Sequence, residues 1–327
     1  MSKANDYKKY LKSLHSQKET PEEIIREIVK EGIQKRFVSK KKIVAGEVNE
    51  VYDITLSDKS HVILRVSPNG SPDFQQEQWS MEAAKKVSVP VPEIYLVKYI
   101  TINGKEYGFC LMEKLEGDTL ERGKIDFDKL ALKERKDYII QAGAILTKIH
   151  SIPTVGWGWI VKNKGQYKTS DELFVQWLNK REEYLKAAKE ENIEKQVINK
   201  ALKVVEDFKE KYKSIKPRLA HSDFAHKHFM VKDRKVVGIL DWGGVRSDSP
   251  VYDFANWDFW FGENIPTKWL MEGYTNKDLF DDNFEDFLHF IRIEKGLENL
   301  NWYNKQKYKE MIEKIKAKLI KDVEYFS

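Results

Sequence analysis

The spacing of apolar residues changes once along this chain, between Met112 and Gly117, and this change constrains the fold. Before it, apolar residues alternate in short runs such as Val48–Leu56 and His61–Val66, which is typical of β-strands buried on one face. After it, they recur every three or four residues, as along Tyr138–Ile149, which is the period of an amphipathic helix. The sequence therefore predicts a β-rich N-terminal part and a mainly helical C-terminal part.

The N-terminal part is predicted to be an antiparallel sheet with one inserted helix. Asn103-Gly104-Lys105 separates two strand-like runs, and Asn-Gly at such a place favours a tight hairpin turn. Residues 74–87 have helical spacing and end before Val89-Pro90-Val91-Pro92. Upstream, Thr20-Pro21-Glu22-Glu23 has the pattern of a capping box, with Thr20 as the N-cap of a first helix.

Length and charge set the outer limits of the interpretation. We expect two domains, residues 1–112 and residues 113–327, because 327 residues suffice for two medium-sized cores. The 57 basic and 52 acidic side chains leave a net charge of only +5. Lysines in segments such as 183–216 alternate with acids at helical spacing, which indicates solvated helix faces rather than a nucleic-acid-binding patch.

The cysteine content and the hydropathy pattern indicate a cellular location. The single cysteine, Cys110, lies in an apolar run, which indicates an inert, buried thiol and a reducing compartment. No apolar run approaches the ~20 residues that a membrane helix needs. We therefore expect a cytoplasmic protein that binds neither membrane nor nucleic acid.

Two aspartates flank a predicted β-hairpin in the C-terminal part. Asp223 precedes the first strand, within Leu219–Val231, and Asp241 follows the second strand, in Gly238-Ile239-Leu240-Asp241-Trp242. Such a hairpin can bring both carboxylates to one cleft, one to orient an attacking hydroxyl and one to hold a divalent cation. Phosphoryl transfer needs this division of labour, because its catalysis is mostly positioning and charge neutralisation.

This motif resembles that of the aminoglycoside phosphotransferase and choline-kinase-like family, which are small-molecule relatives of protein kinases. The sequence is most similar in character to the hygromycin-type phosphotransferases, over about residues 36–260. The resemblance implies an α+β, bilobal protein-kinase-like fold, with a small antiparallel β lobe that carries one helix and a large, mainly helical lobe. It also implies that Asp223 is the catalytic base or hydroxyl-orienting group, that Asp241 binds Mg²⁺, and that Asp253 supports the catalytic loop.

The same resemblance implies a site for ATP or GTP between the lobes. Gly46 and Asn49 match the loop that covers the phosphates, and Arg65 stands where the family has a phosphate-binding lysine. Glu77 fits the acid on the following helix that orients this cation, whereas Glu82 is less well spaced. The hinge, whose backbone would bind the base, is matched by Met112, Glu113 and Leu115.

Three residues depart from the family pattern. His228 occupies the position of the second Mg²⁺ ligand, usually Asn; an imidazole nitrogen is a poorer ligand for Mg²⁺, so Mn²⁺ is a possible alternative. Arg65 replaces lysine, which is compatible with phosphate binding because guanidinium can bind phosphate through two hydrogen bonds. Ser222 stands in place of a glycine.

We therefore expect an ATP- or GTP-dependent phosphotransferase that moves the γ-phosphoryl group to a hydroxyl of a small molecule, an aminoglycoside antibiotic being one candidate. Two alternatives stay open. A pseudokinase-like protein would bind nucleotide and transfer phosphate weakly, given His228 and Arg65. A metal-dependent hydrolase would use the cluster of His221, His226 and His228, whereas the kinase interpretation expects His226 to point outward.

The sequence does not specify the acceptor, the choice of nucleotide or the oligomeric state. The aromatic residues after Asp253 are predicted to be mostly core, although some could line an acceptor pocket together with Asp258 and Glu263. His150, at the end of a predicted helix, is expected to be a packed residue rather than a metal ligand. The aromatic residues in question are Trp257, Phe259, Trp260, Phe261 and Trp269.

Overall fold

The computed structural model describes residues 19–44, 49–68, 74–120 and 125–327. The elements of the N-terminal part are α1 (Glu22–Ile33), β1 (Phe37–Ile43), β2 (Glu50–Leu56), β3 (His61–Pro68), α2 (Phe74–Lys86), β4 (Ile94–Ile102) and β5 (Lys105–Glu113). The strands form one antiparallel sheet in the order β1-β2-β3-β5-β4. Helix α2 is inserted between β3 and β4, as the sequence predicts.

The β4–β5 hairpin turns where the Asn-Gly pair predicts it. Asn103 and Gly104 both adopt positive φ, 51° and 76° respectively, which is the conformation that a two-residue hairpin turn requires. The first helix also forms, with Ile25, Ile28 and Val29 buried.

The capping box predicted at the start of this helix is wrong. The helix begins at Glu22 with Pro21 as its N-cap, and no side chain caps it. The hydroxyl of Thr20 instead donates to Oε1 of Glu50, at 3.2 Å. Glu50 is buried on β2, so its carboxylate needs donors more than the exposed helix end does.

The C-terminal part is mainly helical and contains short strands. Its strands are β6 (Asp118–Thr119), β7 (Trp157–Val161), β8 (Lys164–Tyr167), β9 (Arg218–Ala220), β10 (Phe229–Lys232), β11 (Lys235–Ile239) and β12 (Arg246–Asp248). The hairpin predicted between Phe229 and Leu240 is present, as β10 and β11, and β6 extends its sheet by pairing with β10. A second small sheet, in the order β8-β7-β12-β9, was not predicted, because its strands have three to five residues and no clean alternation. The helices are α3 (Leu132–His150), α4 (Ser170–Asn179), α5 (Arg181–Glu190), α6 (Lys195–Lys213), α7 (Val251–Phe261), α8 (Thr267–Gly273), α9 (Phe284–Gln306) and α10 (Lys309–Tyr325).

The apolar side chains form a small core, a large core and a third cluster of Phe74, Cys110 and Met112. The small core lies between α1 and the five-stranded sheet. The large core joins the helices of the C-terminal part and takes in Met81 and Ala84 from α2. The expected α+β, bilobal fold is therefore confirmed. None of the helices within the described ranges is both long and apolar enough to cross a membrane.

Helices α3 and α8 pack with their backbones in contact. A Cβ added at Gly143 of α3 would lie 2.2 Å from the carbonyl oxygen of Leu270, and one at Gly273 of α8 would lie 1.9 Å from that of Ile140. Only glycine permits this approach. The contact matters for the site, because α3 ends at His150 and α8 is followed by Tyr274, and these two side chains meet.

Gly273→Ala should destabilise the protein. Its new methyl group would meet the backbone of Ile140, which cannot rotate away, and overpacking of this kind costs about 1–3 kcal/mol. Thermal unfolding would show a lower Tm. Gly296→Ala in α9 is the matched control, since its Cβ would meet only the side chain of Leu319, whose Cδ1 is nearest at 3.1 Å. Equal decreases in Tm for the two variants would contradict the close backbone contact between α3 and α8.

Candidate active site

The β10–β11 hairpin brings Asp223 and Asp241 to the same place. Asp223 lies in the loop between β9 and β10, and Asp241 lies two residues after the end of β11. At the open end of the hairpin, Phe229 pairs with Ile239, and the Leu240 amide donates to the carbonyl oxygen of His228, at 2.9 Å. The two aspartates therefore meet at the base of the hairpin, together with His228.

Asp223, His228 and Asp241 form a cluster that fits a divalent cation. Nε2 of His228 lies 3.0 Å from Oδ2 of Asp223 and 3.7 Å from Oδ2 of Asp241. One potential ligand atom from each of the three residues lies within 4.8 Å of the others. His228 is buried, whereas the side chains of Asp223 and Asp241 are 45% and 50% exposed, so the carboxylates face the open side. Neither His221 nor His226 belongs to this cluster.

The charge state of Asp223 follows from its neighbours. Burial favours the protonated form, but the hydrogen bond from His228 and the charges of His228 and Lys227 lower the pKa of Asp223 to about 2. Asp223 is therefore ionised at neutral pH. Because its carboxylate can only accept, Nε2 of His228 carries the proton, and this nitrogen must lose the proton before it can bind a metal ion.

Asp253, at the start of α7, holds the loop that carries Asp223. Its carboxylate accepts hydrogen bonds from the backbone N–H of His221 at 2.8 Å, the N–H of Ser222 at 2.7 Å and Nε2 of His150 at 3.0 Å. Nδ1 of His150 in turn accepts from the hydroxyl of Tyr274, at 3.1 Å. Although burial opposes its charge, these donors hold the pKa of Asp253 below its ordinary value. Through the hydrogen bonds to the amides of His221 and Ser222, Asp253 holds the loop that carries Asp223, as expected.

Two further bonds tie the loop to the segment that carries Asp241. The imidazole of His221, whose pKa burial lowers, donates from Nε2 to the carbonyl oxygen of Leu240, at 3.1 Å. The hydroxyl of Ser222 donates to the carbonyl oxygen of Gly244. Ser222 and Asp241 both have positive φ, 63° and 66°, which is costly for residues other than glycine. The structure therefore holds both sides of the site in a strained conformation.

Arg65 and Glu77 form an ion pair on the side of the small lobe. Arg65 on β3 donates through both terminal nitrogens to the carboxylate of Glu77 on α2, which is 1% exposed; Nη2 lies 3.2 Å from Oε1. Burial disfavours the guanidinium charge, but Glu77 and Asp241 raise the pKa of Arg65 above its ordinary value. Glu82 does not share this pair and accepts from Gln78 instead, at 2.9 Å. Arg65 is thus directed toward the cleft that contains Asp241.

The other residues expected to bind nucleotide lie between the lobes or outside the described residues. Met112 and Glu113 end β5, and the Glu113 amide donates to the carbonyl oxygen of Glu93 at 2.8 Å. Leu115 packs against the backbone of β11, where a Cβ at Gly238 would lie 2.3 Å from its Cδ1. Asn49 has a buried side-chain oxygen with no hydrogen-bond partner among the described residues. Gly46 lies outside those residues.

Cys110 faces the same pair from the neighbouring strand. It stands opposite Arg65 in the β3–β5 register and is fully buried. Burial raises the pKa of its thiol to about 12. The expectation of an unreactive thiol therefore agrees with its surroundings.

The acceptor pocket suggested by the sequence is not supported by the structure. Trp257, Phe259 and Trp269 are core residues. The carboxylate of Asp258 accepts from the hydroxyl of Thr267 and pairs with Arg292, so it is already engaged. Glu263 is 76% exposed and has Lys318 as its nearest cation, at 3.4 Å.

The outward orientation expected for His226 is also wrong. Its ring packs against the rings of Phe127 and Phe261, with centroids 4.7 Å and 5.2 Å away. Sequence reasoning also missed Trp159 on β7, a half-exposed indole close to Gly244, because the β7–β8 hairpin gave no clear strand signal. His150 is packed as expected, but its hydrogen bond to Asp253 required a contact across 103 residues that no local pattern reveals.

Comparison with known proteins gives the family. The model of the phosphotransferase enzyme family matches residues 41–275. The chain belongs to this family. No curated protein sequence matches the chain significantly.

Solved structures related to this phosphotransferase share its fold. A thermostable mutant of aminoglycoside phosphotransferase APH(4)-Ia is 15% identical, with a TM-score of 0.70 over 92% of this chain and 99% of that chain. A protein assigned as a fructosamine-3-kinase from Thermobifida fusca is 12% identical, with a TM-score of 0.62 over 90% and 98%. APH(2")-IIa, solved with streptomycin and ATP, is 15% identical, with a TM-score of 0.54 over 93% and 97%. The expected family and kinase-like fold are confirmed.

Asp253→Asn should loosen the catalytic loop as well as destabilise the fold. An amide can accept fewer of the three donors and presents its own N–H groups to them, and breaking a buried charged network costs about 3–5 kcal/mol. Amide hydrogen exchange at His221 and Ser222 should accelerate at temperatures where both proteins are folded. Asp322→Asn is the control: Asp322 is a buried carboxylate held by Arg292 and His289, and its loss should leave those two amides protected. Unchanged exchange in the Asp253 variant would refute the role given to it.

Proposed function

We propose that this phosphotransferase moves the γ-phosphoryl group of ATP or GTP to a hydroxyl of a small molecule. The observation that carries the proposal is the cluster of Asp223, His228 and Asp241 at the base of one hairpin. It provides an ionised carboxylate for the acceptor hydroxyl beside a group of ligands for a cation, in a chain of the phosphotransferase enzyme family. Residues 1–112 would form the nucleotide-binding lobe, and residues 113–327 would carry the catalytic loop and the acceptor pocket.

Asp223 is assigned to the acceptor hydroxyl. Its low pKa keeps it ionised at neutral pH, so it can accept a hydrogen bond from the hydroxyl and orient the oxygen toward the γ-phosphorus. A carboxylate with so low a pKa is a weak base in the ground state, and orientation is therefore its main contribution before the proton leaves. Asp253 acts on the same step indirectly, because it fixes the backbone on which Asp223 stands.

Asp241 and His228 are assigned to the divalent cation. A bound Mg²⁺ or Mn²⁺ would neutralise the negative charge of the phosphates. The carboxylate of Asp241 suits either ion, whereas the imidazole of His228 suits Mn²⁺ better. In the absence of a cation, the hydrogen bond from Nε2 of His228 holds the Asp223 carboxylate beside the cation ligands. A cation bound at this nitrogen would replace that bond.

The nucleotide is assigned to the cleft between Arg65 and the end of β5. Arg65, oriented by Glu77, would bind phosphate oxygens, and the side-chain NH₂ group of Asn49, the residue directly before β2, would donate to them. The base would lie between Met112 and Leu115 and bond to the backbone there, where the carbonyl oxygen of Glu113 is the natural acceptor. Leu115 on Gly238 would form the floor of this site.

The nature of the acceptor rests on the related proteins. APH(4)-Ia has been solved with AMP-PNP and hygromycin B, and APH(2")-IIa has been solved with streptomycin and ATP. Aminoglycosides are therefore the first acceptors to test, and transfer to one of them would inactivate an antibiotic. Fructosamines and amino alcohols belong in the same screen, because the motif around Asp223 and Asp241 does not distinguish them.

Of the two alternatives, the departures from the family pattern favour the pseudokinase-like protein, which would bind nucleotide and transfer phosphate only weakly. His228 and Arg65 stand where the family has asparagine and lysine, but Asp223 and Asp241 are both present. The hydrolase interpretation loses its main support, because His221 and His226 are engaged elsewhere and lie outside the ligand cluster.

Asp223→Ala should lower phosphoryl transfer by a factor on the order of 10²–10⁴ and leave AMP-PNP affinity nearly unchanged. Asp241→Asn should weaken AMP-PNP binding in the presence of Mg²⁺ but not in its absence. ADP or GDP release with an acceptor panel, and calorimetric titration of AMP-PNP, measure these effects. Asp233→Asn, in the exposed turn of the same hairpin, is the matched control and should behave as the unmodified protein. Nucleotide binding without Asp223-dependent transfer to any acceptor would favour the pseudokinase-like alternative.

A further inference from the structure

The three residues at the base of the β10–β11 hairpin have the spacing of ligands to one zinc ion. Zinc lies about 2 Å from each nitrogen or oxygen ligand, so two of its ligands are at most about 4 Å apart. Nε2 of His228 lies within this limit of both carboxylates, at 3.0 Å from Oδ2 of Asp223 and 3.7 Å from Oδ2 of Asp241. The two carboxylates have oxygens within 4.8 Å of each other. Both carboxylates are half-exposed, so a small side-chain movement would complete the coordination.

The imidazole of His228 is held in place before any ion binds. The side chain is buried, and Nε2 faces the two carboxylates. The backbone is fixed on both sides, because the His228 amide donates to the carbonyl oxygen of Ala225 and its own carbonyl oxygen accepts from the Leu240 amide, both at 2.9 Å. A zinc ion would take the place of the proton that now joins Nε2 to Asp223. One ligand is therefore already oriented in the free protein.

The charge of the cluster also favours a divalent cation. Nζ of Lys227 lies 3.8 Å from Oδ2 of Asp223 and offsets part of the negative charge. Arg65, which interacts with Asp241, is neutralised by its ion pair with Glu77. Two carboxylates beside one unpaired cation leave the cluster negative. A divalent ion would reverse this charge.

Without nucleotide, this ligand set suits zinc better than magnesium. Mg²⁺ gives up its water reluctantly, requires octahedral oxygen ligands, and is held by one or two carboxylates together with substrate phosphates. Those phosphates are lacking until nucleotide binds. Zn²⁺ accepts an imidazole and carboxylates as its whole protein ligand set. The imidazole of His228, at a position where the resemblance expects asparagine, supplies the nitrogen that makes the difference.

We propose that Asp223, His228 and Asp241 together bind one Zn²⁺ ion in the nucleotide-free protein, and that this ion blocks phosphoryl transfer. The inference rests on the proposed function and adds regulation at the same site. It differs from the assignment of the nucleotide's cation, because the catalytic carboxylate is itself a ligand and no phosphate is needed. Asp223 bound to zinc is no longer available to the acceptor hydroxyl. Asp241 and His228 are likewise withheld from the cation that accompanies the nucleotide, so Zn²⁺ and the Mg²⁺–nucleotide complex exclude each other.

The first test is a calorimetric titration of metal-free protein with Zn²⁺, without nucleotide or acceptor. One ion should bind, and His228→Asn should weaken its binding by at least about 100-fold, because even residues that only support a ligand contribute 10- to 100-fold. His61→Asn is the matched control. Nδ1 of His61 also lies beside a carboxylate, 2.8 Å from Oδ1 of Asp53, but neither residue belongs to a three-ligand group in the part of the chain that the structure describes. Absence of zinc binding, or equal zinc affinities of the two variants, would overturn the proposal.

A second variant separates this site from an ordinary magnesium site. Asp223→Ala should weaken Zn²⁺ binding by about 10- to 100-fold while leaving the affinity for AMP-PNP with Mg²⁺ nearly unchanged. The Asp223 side chain is 45% exposed, so its removal is compatible with folding even if His228→Asn is not. Zn²⁺ should raise the Tm of the unmodified protein and of His61→Asn, but not that of Asp223→Ala at the same concentration. Unchanged zinc affinity in Asp223→Ala would show that the catalytic carboxylate is not a ligand, contrary to the proposal.

The third test measures exclusion and inhibition, with free Zn²⁺ held constant by a chelator buffer. AMP-PNP with Mg²⁺ should raise the apparent dissociation constant of Zn²⁺, and Zn²⁺ should inhibit transfer less as the Mg²⁺–nucleotide concentration rises. Transfer that depends on Asp223 but is unaffected by saturating Zn²⁺ would refute the inference and leave the proposed function standing. Zinc binding that needs His228 and Asp223 and excludes Mg²⁺–AMP-PNP, in a protein that phosphorylates no acceptor, would refute the proposed function alone.

Discussion

The carboxylate of Asp253 is the group on which the rest of the site depends. It accepts hydrogen bonds from two successive backbone amides, those of His221 and Ser222, and from the imidazole of His150. These bonds hold Ser222 at a positive φ, which directs the next residue, Asp223, into the cleft. The network reaches through Tyr274 to the contact between α3 and α8, so packing far from the cleft supports the geometry within it.

The polar groups of the candidate site fall into two neighbouring regions. Arg65 and Glu77 lie on the side of the small lobe, and Asp223, His228 and Asp241 lie at the base of the β10–β11 hairpin. In the proposed reaction, the donor phosphates would lie beside the first region and the reacting hydroxyl beside the second. Both regions are costly to form, because the first buries an ion pair and the second has a strained backbone, and such costs concentrate at functional sites.

Much of the fold follows from local patterns in the sequence. The Asn-Gly turn, the period-2 strands before Met112 and the helical spacing after Gly117 are strong signals, because each depends on neighbouring residues. The capping box at Thr20 failed because the buried Glu50 competed for the same hydroxyl from 30 residues away. The strands β7, β8, β9 and β12 were missed because segments so short are stabilised by their partners rather than by their own pattern.

The candidate site was predictable where residues lie near one another in the sequence. Asp223, His228 and Asp241 come from one hairpin, and Glu77 follows Arg65 by 12 residues, so spacing sufficed to group them. His150 and Trp159 come from distant elements and carry no motif of their own. Asp258 was misassigned for the same reason, since its partner Arg292 lies 34 residues away on another helix.

The most direct test of the account is to locate the cation. Crystals grown with AMP-PNP and Mn²⁺ would reveal the ion by its anomalous scattering, independently of any activity. We expect a peak within coordination distance of the Asp241 carboxylate and of Nε2 of His228, with Asp223 beside it and directed toward the γ-phosphate. An ion bound to the nucleotide but away from both Asp241 and His228 would contradict it.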